Sequence, residues 1–225
     1  MKDIAKAAIS ILLVAATSLF GILFIKNIPY DEILLKESVN YKSQVIVRTE
    51  DDRTGRGVVF EIGDDYIDIL TSKHLLSDSF NPVVELGDYT LAGAQITFFF
   101  ADYDAAILRV SGDDFHNILS KVEAAQIMTF TEYENLKRAD AVFYADNLRE
   151  KDRNFREGKW IDSYEYVEEL ECETGIFTGK VDFGMSGEGL FDINGKLIGI
   201  IIGSGDYEGA VVPGYMLLEG MENNE

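Results

Sequence analysis

Gly184-Met185-Ser186-Gly187-Glu188-Gly189-Leu190 runs into Phe191-Asp192-Ile193-Asn194-Gly195-Lys196-Leu197-Ile198-Gly199-Ile200. A serine set between two glycines, followed by a short hairpin, reads as a tight turn that holds a hydroxyl out and then enters a sheet. Glycine at 184 lets that turn take a conformation a side chain would resist. Two upstream segments match it. Ile69-Leu70-Thr71-Ser72-Lys73-His74-Leu75-Leu76 ends an apolar run in a histidine, and Asp104-Ala105-Ala106-Ile107-Leu108-Arg109-Val110 opens an alternating strand with an aspartate. Hydroxyl, imidazole and carboxylate are the nucleophile, proton shuttle and orienting group of acyl transfer. The chain order is His, Asp, Ser. Taken alone, His74 would read as a satisfied core histidine; the flanking motifs and their order outweigh that. The other histidine, His116, lies in the polar connector Asp113-Asp114-Phe115-His116-Asn117 and reads as a solvated turn residue. Asp102 competes with Asp104, but only Asp104 directly opens the strand.

Working outward, the chain is strand after strand. Runs rich in Val, Ile, Phe and Tyr, parted by Gly, Asp and Asn, predict strands at 43–49, 57–61, 66–71, 82–86, 90–99 and 105–110. After a less regular connector at 111–125 come 126–130, 141–145, 163–169, 171–178, 189–193, 196–203 and 210–212. No internal repeat or sustained helical periodicity interrupts them. Two packed antiparallel barrels are the expected architecture.

At 225 residues, with 47% hydrophobic content, 14 Phe and 11 Tyr, the chain has the material for a packed globule. Forty acidic against 20 basic residues leave a formal net charge of −20. A surface that negative repels phosphate backbones, so no nucleic-acid partner is expected. The single cysteine, Cys172, excludes an intrachain disulfide and reads as buried filler. With two His and one Cys, the usual zinc spacings cannot be assembled, so neither a metal nor another cofactor is expected.

Lys2 and Lys6 precede an uncharged run of 19 residues, Ala7 to Ile25, closed by Lys26. At about 1.5 Å per residue the run spans roughly 28 Å, close to the hydrocarbon thickness of a bilayer. Residues 1–26 therefore read as an uncleaved signal anchor and single transmembrane helix, followed by a juxtamembrane linker at 27–38. The early lysines place the N-terminus in the cytoplasm and the domain outside. The globular domain is expected at 39–221, its first barrel at about 39–115 and its second at about 120–218, with an acidic tail at 222–225.

From about Ser38 to Leu218 the chain resembles the trypsin-like serine proteases, in particular the bacterial Deg/HtrA type. Gly55-Arg56-Gly57-Val58-Val59-Phe60 is similar to that type's first hairpin, and Ile69-Leu70-Thr71-Ser72-Lys73-His74 to its Ile-Leu-Thr-Asn-Ala-His stretch. Asp104–Val110 is similar to its Asp-Leu-Ala-Val-Leu-Arg-Val strand, and Gly209-Ala210-Val211-Val212-Pro213 to the segment closing its second barrel. The departures are Lys73 where the family has Ala, and Glu188-Gly189 where it has Gly-Pro. With no extension of PDZ length after the protease-like region, no PDZ domain is expected.

The resemblance implies an all-β chymotrypsin-like fold of two six-stranded barrels and a serine endopeptidase acting on proteins or peptides. It implies His74, Asp104 and Ser186 as the triad, with the N–H groups of Gly184 and Ser186 as oxyanion hole. Ile201, Ile202, Gly203 and Ser204 would form the edge that pairs with substrate. Thr178, Gly179 and Lys180 would lie near the base of the primary specificity pocket. Lys180 would either favour acidic side chains there or snorkel away. Met185 replaces the aspartate with which digestive relatives capture a newly cut N-terminus, so no such activation is expected. Many Deg/HtrA proteases are trimers, which makes a homo-oligomer an expectation of the resemblance alone. A carboxylate at Glu188 about 8 Å from the oxyanion would cost roughly 0.5–2 kcal/mol, unless it turns to solvent. The competing reading is a trypsin-fold module that binds extended peptide without cutting it. An α/β-hydrolase is excluded, since position 188 is not glycine and no histidine follows the serine.

Overall fold

The computed structural model describes residues 39–149, 151–168 and 170–222. The expected N-terminal anchor and linker, and the end of the acidic tail, lie outside the described residues.

Alternation of apolar and polar side chains builds the first half. Strands β1 (Gln44–Arg48), β2 (Thr54–Ile62), β3 (Tyr66–Thr71), β4 (Val83–Glu85), β5 (Leu91–Gly93), β6 (Gln95–Phe99) and β7 (Ala106–Ser111) pair antiparallel in the order β5-β4-β1-β2-β3-β7-β6. Val45, Val47, Val59, Ile67, Ile69 and Leu108 point to one side and are buried together. This is a correction to the expected six-stranded barrel, because the hydrogen-bonded ladder stays open. Its cause is local. The run expected as one strand at 90–99 is bent just after buried Ala94: its N–H donates to Pro82 O at 3.0 Å, extending the β4–β5 ladder by one residue, and the chain then turns to pair with β7. Residues 91–93 pair with β4 and 95–99 pair with β7, so the ends of the sheet are joined by the chain itself.

The second half closes fully. Strands β8 (Ala141–Asn147), β9 (Asn154–Val167), β10 (Cys172–Thr178), β11 (Gly189–Asp192), β12 (Leu197–Ser204) and β13 (Glu208–Pro213) form a barrel in the order β10-β13-β12-β11-β8-β9. Trp160, Tyr133, Phe177, Leu190 and Ile201 fill it. Between the two halves lies a third apolar cluster, with Val58, Leu70 and Ala105 from the first and Phe143, Phe191 and Ile200 from the second. It holds the halves face to face with the loops of both at one seam.

Other expectations are also corrected. Residues 126–130 were expected as a strand, but Ile127 makes one isolated parallel bridge to Leu197 and the chain then forms helix. The connector at 111–125 contains α1 (Gly112–Ile118), α2 spans Phe130–Glu134, and α3 spans Gly214–Glu222. α2 starts at Thr129, whose hydroxyl accepts from Glu132 N–H at 3.3 Å while the Glu132 carboxylate accepts from Thr129 N–H at 3.0 Å. That reciprocal cap satisfies two donors a helix start would otherwise leave open. The strand expected at 163–169 begins at Asn154 instead.

Trp160 is the largest fully buried side chain; its Nε1–H donates to Ser163 Oγ at 3.3 Å and its ring meets Tyr133 edge-on at 5.5 Å. Trp160→Ala should lower the free energy of unfolding by about 3–5 kcal/mol, read as a lower urea midpoint. An unchanged midpoint would show that the barrel interior does not depend on this ring.

Candidate active site

β3 ends at Thr71, and the next residues leave the sheet in a single 3-10 turn, His74–Leu76, because Leu75 and Leu76 both bury. That anchors the turn and leaves the His74 side chain half exposed above it. Lys73 Nζ–H donates to Phe100 O at 3.0 Å, tying the turn to the loop between β6 and β7. This loop carries Asp104. Its carboxylate takes two donors from one residue: Oδ1 accepts from the His74 backbone N–H at 2.8 Å, and Oδ2 lies 2.5 Å from His74 Nδ1. Asp102 lines the neighbouring cleft and makes no bond to His74. Cys172 packs beneath, against the Asp104 backbone, and burial pushes its thiol pKa up, which suits a space-filling side chain.

Two consecutive turns form the Ser186 segment. Met185 N–H donates to Asp182 O at 3.2 Å, and Glu188 N–H donates to Met185 O at 2.9 Å. The third residue of each is a glycine at positive φ, Gly184 at +85° and Gly187 at +89°, as a turn of this kind requires. Three bonds fasten the second turn: Arg56 N–H to Ser186 O at 2.8 Å, Gly187 N–H to Ile201 O at 2.7 Å, and Ile201 N–H to Glu188 O at 2.8 Å. Gly187 presses on β2, where a Cβ would sit 2.1 Å from Arg56 O. The N–H groups of Gly184 and Ser186 have no acceptor among the described residues. Ser186 Oγ and His74 Nε2 likewise have no hydrogen-bond partner there. Gly55 joins the two segments: a Cβ on it would lie 2.4 Å from Leu75 Cδ2 and 2.9 Å from Ser186 O.

Beside His74 opens a cleft of ≈ 730 Å³ whose walls include Lys73, Asp102, Tyr103, Leu170, Glu171 and Ile202. Of the expected substrate edge, Ile202 lines this cleft, whereas Ile201 spends both backbone groups on the Ser186 turn. Gly203 and Ser204 run past the last β12 residue paired with β11, Ile200, so among the described residues that side of β12 has no strand partner. Lys180 turns outward and pairs with Asp182 at 3.1 Å. Met185 is buried inside the second barrel and takes the Asp182 N–H on its Sδ at 3.3 Å, so apolar burial holds this loop where an ion pair could not.

Glu188 neither faces solvent nor lies loose. Its side chain is 0% exposed, with Oε2 3.9 Å from Arg56 Nε and the backbone of Ala145 and Gly189 facing it, and among the described residues neither carboxyl oxygen reaches hydrogen-bond geometry. Burial pushes its pKa up to about 8, against the pull of the Arg56 guanidinium. Two residues at the site were missed from sequence. Arg56 Nε–H donates to Gly184 O at 3.3 Å and Nη2–H to Asp146 O at 3.4 Å. Arg156 donates to Asp182 at 2.8 Å and to the Lys180 carbonyl, and holds the Asp182 carboxyl below the usual carboxylate range. Position 56 stands within a quoted motif, but its partner lies 128 residues on, and spacing carries no signal over that distance. Among the described residues no three His, Cys, Asp or Glu side chains are grouped to hold a metal ion.

Several solved structures share this fold. The HtrA-type protease AlgW, solved with a tripeptide, is 17% identical with a TM-score of 0.67, over 87% of this chain and 63% of its own length. The protease Rv3671c in an inactive form is 17% identical with a TM-score of 0.63, over 86% of this chain and 93% of its own. An inactive mutant of the same protease, from M. tuberculosis H37Rv, is 16% identical with a TM-score of 0.62, over 88% of this chain and 90% of its own. This chain thus spans less than two thirds of AlgW. No curated protein matches it in sequence. Residues 55–200, well over half of the chain, match the family model of the trypsin-like peptidase domain. That segment runs from the Gly55 contact through His74, Asp104 and Ser186 to β12, and the chain belongs to the trypsin-like peptidase family.

Proposed function

We propose that the protein is a membrane-anchored serine endopeptidase that cleaves peptide bonds in extracytoplasmic proteins or peptides. The observation that carries this is the grip of the Asp104 carboxylate on both the His74 backbone and Nδ1. With Nδ1–H held by the carboxylate, His74 Nε2 keeps its lone pair and takes the proton of Ser186 Oγ as that oxygen attacks the scissile carbonyl. The two unclaimed N–H groups of Gly184 and Ser186 receive the developing oxyanion. His74 then passes its proton to the leaving amine, an acyl-enzyme remains on Ser186, and water activated by His74 releases it. The free side of β12 at Gly203 and Ser204 pairs with an extended substrate backbone. Anchoring rests on the uncharged run Ala7–Ile25, and the side of the membrane on the early lysines. The binding-only reading draws on the missing hydrogen bond between Ser186 Oγ and His74; catalytic bonds of this kind tighten when substrate enters.

The test is to treat the full-length protein, in mild detergent, with a fluorophosphonate and map the adduct by mass. An adduct on Ser186 in folded protein, absent after denaturation, is the expected result. Folded protein without an adduct would sink the catalytic reading and leave the peptide-binding module.

A further inference from the structure

We propose that Arg56 is the positioning residue of the Ser186 turn, and that Glu188 is the buried counter-charge holding its guanidinium in place. The inference rests on the catalytic reading above.

Arg56 stands on β2, in the first half of the molecule, yet it meets four residues of the turn in the second half. Its N–H holds the Ser186 carbonyl, its own carbonyl abuts Gly187, its Nε–H holds the Gly184 carbonyl, and its guanidinium faces Glu188. Thr71 Oγ1–H donates to the Arg56 carbonyl at 2.6 Å, so the strand under the turn is itself fixed. Gly184 needs such a restraint. A glycine at positive φ has wide conformational freedom, and rotation of its peptide planes would swing the N–H groups away from a substrate carbonyl. The Gly184 carbonyl lies in the Gly184–Met185 peptide plane and the Ser186 carbonyl in the Ser186–Gly187 plane, so fixing both pins the two planes that flank the Met185–Ser186 plane, which carries the Ser186 N–H.

The bland alternative is that Arg56 merely neutralises a buried acid. A buried acid facing a guanidinium at 3.9 Å without a direct bond is costly to keep, so a catalytically idle pair would be a liability. The two readings separate in the double variant. If Arg56 only neutralises Glu188, removing both groups restores full reactivity; if it positions the turn, reactivity stays low.

Glu188 is faced by Arg56 from β2, by Asp146 from β8 and by Tyr41 from the 3-10 turn before β1, with Arg153 lying 4.4 Å over the Tyr41 ring. Glu188 becomes a carboxylate as pH rises through about 8, and only then attracts the guanidinium fully. Reactivity should therefore rise near pH 8, the tighter hold on the turn outweighing the repulsion between this carboxylate and the developing oxyanion.

The experiment is the second-order rate of fluorophosphonate labelling of the full-length protein from pH 6 to 9.5, with folding checked by circular dichroism. Arg56→Met should slow labelling by about 100-fold, and Arg56→Met with Glu188→Gln should stay equally slow. Glu188→Gln alone should label but lose the rise near pH 8. Wild-type labelling in folded Arg56→Met, or recovery in the double variant, overturns the proposal. Should Arg56→Met not fold, Arg56→Lys decides: a tenfold loss supports positioning, and a rate near wild type refutes it. Folded wild-type protein that does not label at all overturns the catalytic reading together with this one; an unaffected Arg56 variant overturns this one alone.

Discussion

Asp104→Asn should slow Ser186 labelling and peptide hydrolysis by about 10⁴-fold near pH 7, with little change in stability. The argument is a count of donors and acceptors. Two donors converge on this side chain, the His74 backbone N–H at 2.8 Å and Nδ1–H at 2.5 Å. A carboxylate offers an acceptor to each, whereas a carboxamide offers one acceptor and one donor. If the Asn oxygen keeps the backbone N–H, its NH₂ faces Nδ1 and forces the proton to Nε2. Nε2 then has no lone pair for the serine proton. The imidazolium formed in the transition state also loses its neighbouring charge. Asp104 is at the protein surface side of the seam and 15% exposed, so an isosteric amide leaves the packing intact. Asp102→Asn is the internal comparison: without a bond to His74, it should change the rate by about threefold or less. The measurement is labelling rate against pH for both variants beside a urea titration. A loss under tenfold in stably folded Asp104→Asn would remove Asp104 from the orienting role.

What could be read from sequence follows from how far each signal travels along the chain. His74, Asp104 and Ser186 each sit in a short run whose neighbours dictate the local turn, so the residues themselves name the position. α2 was legible by the same standard, since Thr129 and Glu132 spell a capping box, yet the apolar residues before it suggested a strand. The first half of β9 was hidden by its charges. Glu157 and Lys159 face outward while Gly158 and Trp160 face in, and the alternation shows only once the inner pair is known. Glu188 marks the limit. Its surroundings are built from β2, β8 and the turn at Tyr41, three segments distant in sequence, and nothing beside it says that an acid there is buried. The bend after Ala94 is of the same kind: residues 91–94 follow β4 and residues 95–99 follow β7, two partners that lie on opposite sides of the run in sequence.

Gly187→Ala should destabilise the fold by about 3–5 kcal/mol and depress labelling by at least about 100-fold. Two costs meet at this position. At φ +89° an L side chain is strained by about 1–3 kcal/mol. The added Cβ would also lie 2.1 Å from Arg56 O, 2.8 Å from Thr71 Oγ1 and 3.0 Å from Arg56 C, and two of those three atoms are backbone. β2 cannot yield easily, being paired with β1 on one side and β3 on the other. The turn must move instead, and the bonds that would break first are Arg56 N–H to Ser186 O and Gly187 N–H to Ile201 O. Those bonds orient Ser186, so stability and reactivity fall together. Gly184→Ala separates the two costs: its φ is +85°, but the nearest atom to a Cβ, Thr54 O, is 3.5 Å away. It should show the backbone strain without the collision, a loss of about 1–3 kcal/mol. Gly205→Ala, where a Cβ would meet nothing within 4 Å, should fall within about 0.5 kcal/mol of wild type. Urea midpoints for the three variants test that ranking. A Gly187→Ala protein unfolding at the wild-type midpoint would mean the turn is not pressed against β2, and the contact through which the first sheet places the serine would not exist.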